Sequence, residues 1–188
     1  MNPFRKIQYN SPLVLNFALL SLLALLLGRL TGGRATAKLF CVYRSPLTDP
    51  LTYPRFFLHV LGHSGWAHYS GNILLMLVIG PQLEERYGSR PPLTAMAVTA
   101  FVTGLVQYIF FPGTALMGAS GIVFMMILMA SMGGGRGGGI PLTLILVALF
   151  YLGGELADSL TRADDISQLS HIIGGVCGAV FGFRMQKK

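Results

Sequence analysis

The chain has 188 residues, of which 53% are hydrophobic and only 11% charged, with 14 Lys and Arg against 7 Asp and Glu for a net charge of +7. An ordinary soluble domain carries about 25% charge and a disordered chain has few apolar residues, so this composition excludes both. A polytopic membrane protein of one domain remains.

The spans lie in the charge-free stretches. No Asp, Glu, Lys or Arg occurs between Lys6 and Arg29, Arg55 and Glu84, Arg90 and Arg136, Arg136 and Glu155, or Asp165 and Arg184. A transmembrane helix needs roughly 20 apolar residues. The Arg90–Arg136 gap holds two, broken near Pro112-Gly113, so the expectation is an all-α membrane protein with six transmembrane helices.

Residues 1–10 form a short polar N-terminus, and residues 11–183 the six-helix membrane domain. Span 1 runs from Ser11 to Leu30. It is long, no small-residue cleavage site follows it, and further spans do, which argues against a signal peptide. Residues 31–66 form a long outer loop with Pro46, Pro50 and Pro54; apolar pieces such as Phe56-Phe57-Leu58 place it on the membrane surface. Span 2 covers Ala67 to Glu84 and span 3 Pro92 to Phe111, with a short outer loop to Gly118. Span 4, Ser120 to Met132, is about 13 residues or roughly 20 Å long. A hydrocarbon core is about 30 Å thick, so this helix must begin inside the membrane, where surrounding protein tolerates a non-helical loop. Span 5 is Ile140 to Gly154, span 6 Ile166 to Phe183, and residues 184–188 are a basic tail. There is no internal repeat.

The excess positive charge is an orientation signal rather than a nucleic-acid footprint. Arg5, Lys6, Arg184, Lys187 and Lys188 flank the first and last spans, and Arg86, Arg90 and Arg136 lie in loops on the same side. This places both termini in the cytoplasm. The last outer loop is acidic, with Glu155, Asp158, Asp164 and Asp165 against Arg162. The Gly-rich run at 133–139 holds one Arg and no aromatic, which fits a flexible loop better than an RNA-binding segment. Cys41 and Cys177 fall in a loop and in a span, so neither a disulfide framework nor a cysteine zinc site is expected.

Polar residues inside spans are functional candidates by default. Ser120 opens the short fourth span among Gly118, Ala119 and Gly121. The unpaired amides of a helix start favour developing negative charge, so this serine has oxyanion-stabilising donors beside its hydroxyl. The plain alternative is a helix N-cap. His171 lies three residues before Gly174, at the start of a four-residue glycine spacing through Gly178 and Gly182. Small residues so spaced let another helix approach closely. If that partner is the fourth span, His171 reaches Ser120, and a Ser–His pair supplies a nucleophile with its general base. A simple glycine packing seam is the alternative. His68 and Asn72 share a face of span 2 and could donate hydrogen bonds to a tetrahedral oxyanion, or serve as interhelical polar glue. His59 and His63 raise a metal reading. No carboxylate lies between Arg55 and Glu84, so the His-Glu-x-x-His zinc pattern is absent and no metal is expected.

Together these features resemble the rhomboid intramembrane serine proteases. The likeness covers about Tyr53 to Phe183 and rests on four motifs in order: His63-x4-His68-x3-Asn72, Glu84-Glu85-Arg86-Tyr87-Gly88, Gly118-Ala119-Ser120-Gly121, and His171-x2-Gly174-x3-Gly178. The resemblance implies a catalytic dyad of Ser120 and His171, without an Asp. It implies an oxyanion hole from His68, Asn72 and the Ser120 backbone N–H, and a six-helix fold around a cavity that opens outward. Glu84, Arg86, Gly118, Gly121, Gly174 and Gly178 take structural roles. Three positions depart from the common pattern: Pro54-Arg55 stands where many members have Trp-Arg, Phe124 where many have Tyr, and Ser170 where Ala is frequent.

The expected activity is endopeptidase cleavage of transmembrane segments near the outer face, through an acyl-enzyme and without a cofactor. The expected partners are transmembrane protein substrates and the lipid bilayer, with no nucleic acid. The expected location is a bacterial inner membrane. A non-catalytic binder of membrane-protein clients is the alternative. A small transporter fits less well, because there is no inverted repeat.

Overall fold

The computed structural model describes residues 8–133 and 165–186, together with isolated helical positions at 142, 145, 146, 149 and 150. The fifth predicted span, apart from those positions, lies outside the described residues. So do the Gly-rich run after Gly133, the acidic loop up to Asp164, and the charges nearest the two ends, Arg5, Lys6, Lys187 and Lys188.

The chain opens with α1, Pro12–Leu30. Proline at its first position lacks an N–H that would be unpaired there in any case. The face of α1 that packs inward repeats at three- and four-residue intervals through Val14, Phe17, Ala18, Ser21, Ala24, Leu25 and Gly28. The opposite face exposes Leu19, Leu20, Leu23, Leu26, Leu27 and Leu30. A leucine-covered outer face is suited to lipid rather than to water.

The segment expected as a long surface loop is built of short elements: α2 (Arg34–Leu39), β1 (Val42–Tyr43), α3 (Thr52–Leu58) and a single 3₁₀ turn (His59–Leu61). Helix α4 follows, Trp66–Tyr87, and ends where Gly88 turns to φ +71°, a conformation glycine adopts without cost. Helix α5, Arg90–Phe110, starts on a Pro-Pro pair and buries Ala95, Met96, Thr99, Ala100, Thr103 and Gln107 along one face. A two-residue strand β2 (Ala115–Leu116) pairs antiparallel with β1, Val42 opposite Leu116 and Tyr43 opposite Ala115. Helix α6 is Ser120–Gly133, and α7 is Asp165–Gln186.

Helix α6 is apolar all round and buried all round, as a central helix must be. Ile122, Val123, Met125, Met126, Ile127 and Met129 are each at most 2% exposed. It packs on α4, α5 and, most extensively, α7. Its 14 residues make about 21 Å, well short of a hydrocarbon core. Among the described residues, α1 and α5 are both long and apolar enough to cross a membrane. Helix α4 has the length but carries polar residues in its first turns. The architecture is therefore that of a helical membrane protein.

Candidate active site

The carbonyl of Ala119 accepts the first α-helical hydrogen bond of α6, from Val123 N–H at 2.9 Å. Ala119 is thus the N-cap and Ser120 the first helical residue. Ala119 brings no side-chain oxygen, and the amides of this first turn have no intrahelical acceptor. Ser120 itself is 7% exposed. Two residues upstream, Gly118 has φ +125°, and a Cβ there would lie 2.7 Å from His68 Nε2. Only glycine fits, both for its backbone and because the His68 imidazole occupies the side-chain space. The His68 ring therefore rests on the loop that delivers Ser120.

Helix α7 meets α6 through backbone. A Cβ on Gly174 would land on the carbonyl oxygen of Gly121, and one on Gly178 on the carbonyl oxygen of Met125. From the other side, a Cβ on Gly121 would lie 3.2 Å from the carbonyl oxygen of Ser170. These glycines permit the approach of two helices that gain no hydrophobic drive from each other in lipid and must rely on close packing. Beside this seam the His171 ring stacks on Phe124, with centroids 4.5 Å apart and planes 17° from parallel. Phe124 is one turn after Ser120 on the same face of α6. The structure thus brings His171 to the face and the turn that begin with Ser120. Ser170 and His171 are both about 5% exposed.

Ser64, just before α4, has its Oγ 3.2 Å from His68 Nδ1, which turns the Nε2 side toward Gly118. Asn72 is buried one turn on, and its Nδ2 donates to the His68 carbonyl at 2.9 Å. The His63 ring stands edge-on to His68 at 5.0 Å. His63 Nδ1 is 3.1 Å from the Leu61 carbonyl and His59 Nε2 is 3.0 Å from the Ala100 carbonyl. A carbonyl can only accept, so each of these nitrogens carries the proton. Burial pushes the pKa of His59 down to about 4, and burial, followed by the neighbouring His68, does the same for His63. Both are neutral at physiological pH.

The sequence reading did not anticipate how the first loop supports the serine. The β1–β2 ladder ties residues 42 and 43 to 115 and 116. Gly118 N–H donates to the His59 carbonyl at 3.0 Å, and the Cys41 thiol lies 3.8 Å from Met117 Sδ. Burial raises the Cys41 pKa, with nearby Arg55 opposing. Arg55 holds the loop itself: its Nε donates to the Lys38 carbonyl at 2.8 Å and its Nη1 pairs with Asp49 at 2.9 Å, while the guanidinium covers the Tyr43 ring. Its retention beside Pro54 was the one signal of this role in the sequence.

Glu84, Arg86 and Gly88 lie at the far end of α4. The Glu84 carboxylate accepts from Leu13 N–H at 3.1 Å, Val14 N–H at 3.0 Å and the Ser89 hydroxyl at 2.6 Å. It caps the start of α1, where a negative charge is favoured. Arg86 is exposed, with its guanidinium over the Tyr87 ring. A cleft of about 370 Å³ at this end is lined by Asn10, Pro12, Pro81, Glu84, Glu85 and Ser89.

The chain is 30% identical over 141 residues to the Caenorhabditis elegans protein named Rhomboid-related protein 1. That alignment takes in 69% of this chain and 39% of the relative, so the chain spans well under half of that protein's length. The family model of the Rhomboid domain matches residues 50–188, which takes in the α4, α6 and α7 motifs together with the loop helix that carries Arg55. The chain belongs to the rhomboid family.

Proposed function

We propose that this protein is an intramembrane serine endopeptidase in which Ser120 is the nucleophile and His171 its general base. The stacking of His171 on Phe124, one turn from Ser120 on the same helix face, carries this reading. The Ser120 hydroxyl attacks the carbonyl of a locally unwound transmembrane segment. His171 takes the hydroxyl proton and passes it to the leaving amine, and water then releases the acyl group. The Ser120 backbone N–H, His68 and Asn72 stabilise the oxyanion. They are neutral donors, so no charge has to be buried in the resting site. Glu84, Gly118, Gly121, Gly174 and Gly178 set the positions of the helices that carry these groups, and Arg86 sits with Glu84 at the far end of α4.

The decisive experiment incubates the purified chain in detergent with a generic single-span substrate and, separately, with a serine-directed fluorophosphonate. Cleavage and labelling at Ser120 are expected from the native chain, and neither from folded Ser120→Ala or His171→Ala. Hydrolysis by Ser120→Ala would sink the assignment. A native chain that binds the substrate yet neither cleaves it nor takes the label would instead be a non-catalytic client binder.

A further inference from the structure

The loop between α5 and α6 delivers Ser120, and its residues from 115 to 118 are each tethered to the first-loop segment. The remaining tether comes from α5. Gln107 is 1% exposed, and its side-chain nitrogen lies 3.3 Å from the Phe111 carbonyl, 3.1 Å from the Thr114 carbonyl and 3.0 Å from Thr114 Oγ1. Two of these three oxygens are carbonyls that can only accept, which fixes the amide orientation with its NH₂ toward the loop. One turn earlier on the same face of α5, Thr103 lies against Gly121, the residue after the serine. Gln107 therefore stands between the end of one helix and the start of the next, and holds the first half of the loop that joins them.

We propose that Gln107 is a positioning residue for the nucleophile: its amide closes the 111–114 turn so that β2 meets β1 and Ser120 is presented at the start of α6. This rests on the serine-nucleophile reading above. An attacking atom displaced by about 1 Å can lose 10²-fold in rate, so a loop clamp of this kind has kinetic leverage without touching substrate.

The test uses the full chain in detergent. Gln107→Met keeps length and volume but removes the amide. Two quantities are compared with the native chain: hydrogen exchange in a peptide covering residues 111–119, and the maximal rate and half-saturation of fluorophosphonate labelling at Ser120. Expected for Gln107→Met are at least tenfold faster exchange in that peptide and at least tenfold slower maximal labelling, with half-saturation unchanged. Thr114→Val, which keeps the backbone and loses one acceptor, should slow labelling about threefold and add nothing on top of Gln107→Met, since the two act as one unit. It serves alone if Gln107→Met does not fold. Labelling consumes no water, so a variant that labels at the native rate while cleaving slowly would overturn the proposal and assign Gln107 to a later step. Unchanged exchange would overturn it as well. A native chain that takes no label overturns the serine reading and the positioning role together, whereas native labelling with an unaffected variant overturns the role of Gln107 alone.

Discussion

The two ends of α4 handle polarity in opposite ways. At one end, His68 and Asn72 bring an imidazole and an amide, and the His68 ring fills space that only a glycine at 118 leaves open. At the other, Glu84 is a carboxylate satisfied by two backbone N–H groups of α1 and the Ser89 hydroxyl. A buried charge is tolerable where hydrogen bonds saturate it. Neutral donors around glycine backbone suit a place where charge has to develop during a reaction. On the proposed function, one end of the helix fixes the fold and the other serves the reaction.

If that division holds, mutations at the two ends should separate activity from stability. Outside the proposed dyad, the largest loss belongs to Gly174→Val, on α7 beside the His68 end of α4. Its side chain would displace the Gly121 carbonyl and pull α7 off the turn that carries Ser120. Cleavage should fall more than 100-fold, for a stability loss of about 1–3 kcal/mol from overpacking. Near-native cleavage by this variant would show that the α6–α7 seam does not set the site. Glu84→Ala should do the reverse. It removes the acceptor of two α1 amides and should cost about 2–3 kcal/mol in unfolding by denaturant. Activity per folded molecule should stay within about threefold, and a larger loss would join the two ends.

Phe124→Ala should slow cleavage about tenfold by freeing the His171 ring, since an aromatic stack contributes about 0.5–1.5 kcal/mol. Phe124→Tyr should leave the rate close to native. Equal rates from both variants would deny the ring its orienting role.

The smallest effect on the rate is expected from the segment before α4, where pH acts on stability. His59 and His63 titrate near 4 when folded against about 6.5 when unfolded, so the unfolded chain binds more protons between those values. Stability is then full above about 6.5 and declines as pH falls toward about 4. Asp49, held below the usual aspartate value first by Leu51 N–H and then by Arg55, acts in the same direction at lower pH. Thermal unfolding in detergent between pH 7 and pH 4 should show a falling midpoint, and His63→Gln should flatten the slope.

The helices were legible wherever a local pattern specifies them. Charge gaps and apolar length placed spans 1 to 4 and 6 within about three residues of α1, α4, α5, α6 and α7, because lipid selects for uninterrupted apolar length and breaks fall at Gly, Pro and charge. The short elements between α1 and α4 were not legible. A two-residue strand has no periodicity, and the partner of Val42 is Leu116, 74 residues on, so nothing near Val42 announces it. The role of Gln107 was hidden for a related reason: a glutamine three residues from a helix end looks like a surface residue until the loop folds back over it.

The sequence by itself determined a charge-poor helical membrane protein, the short central helix, and the few polar residues in its spans that need a reason to be there. It also carried the glycine spacing, since close backbone approach leaves no alternative residue. Only the tertiary structure decided which partner each of those residues meets: Glu84 with the start of α1, Gly174 with the Gly121 carbonyl, His171 with Phe124, His68 with Gly118. Periodicity sets which residues share a face, whereas the pairing of faces depends on how whole helices pack, and that is written in no single segment of the chain.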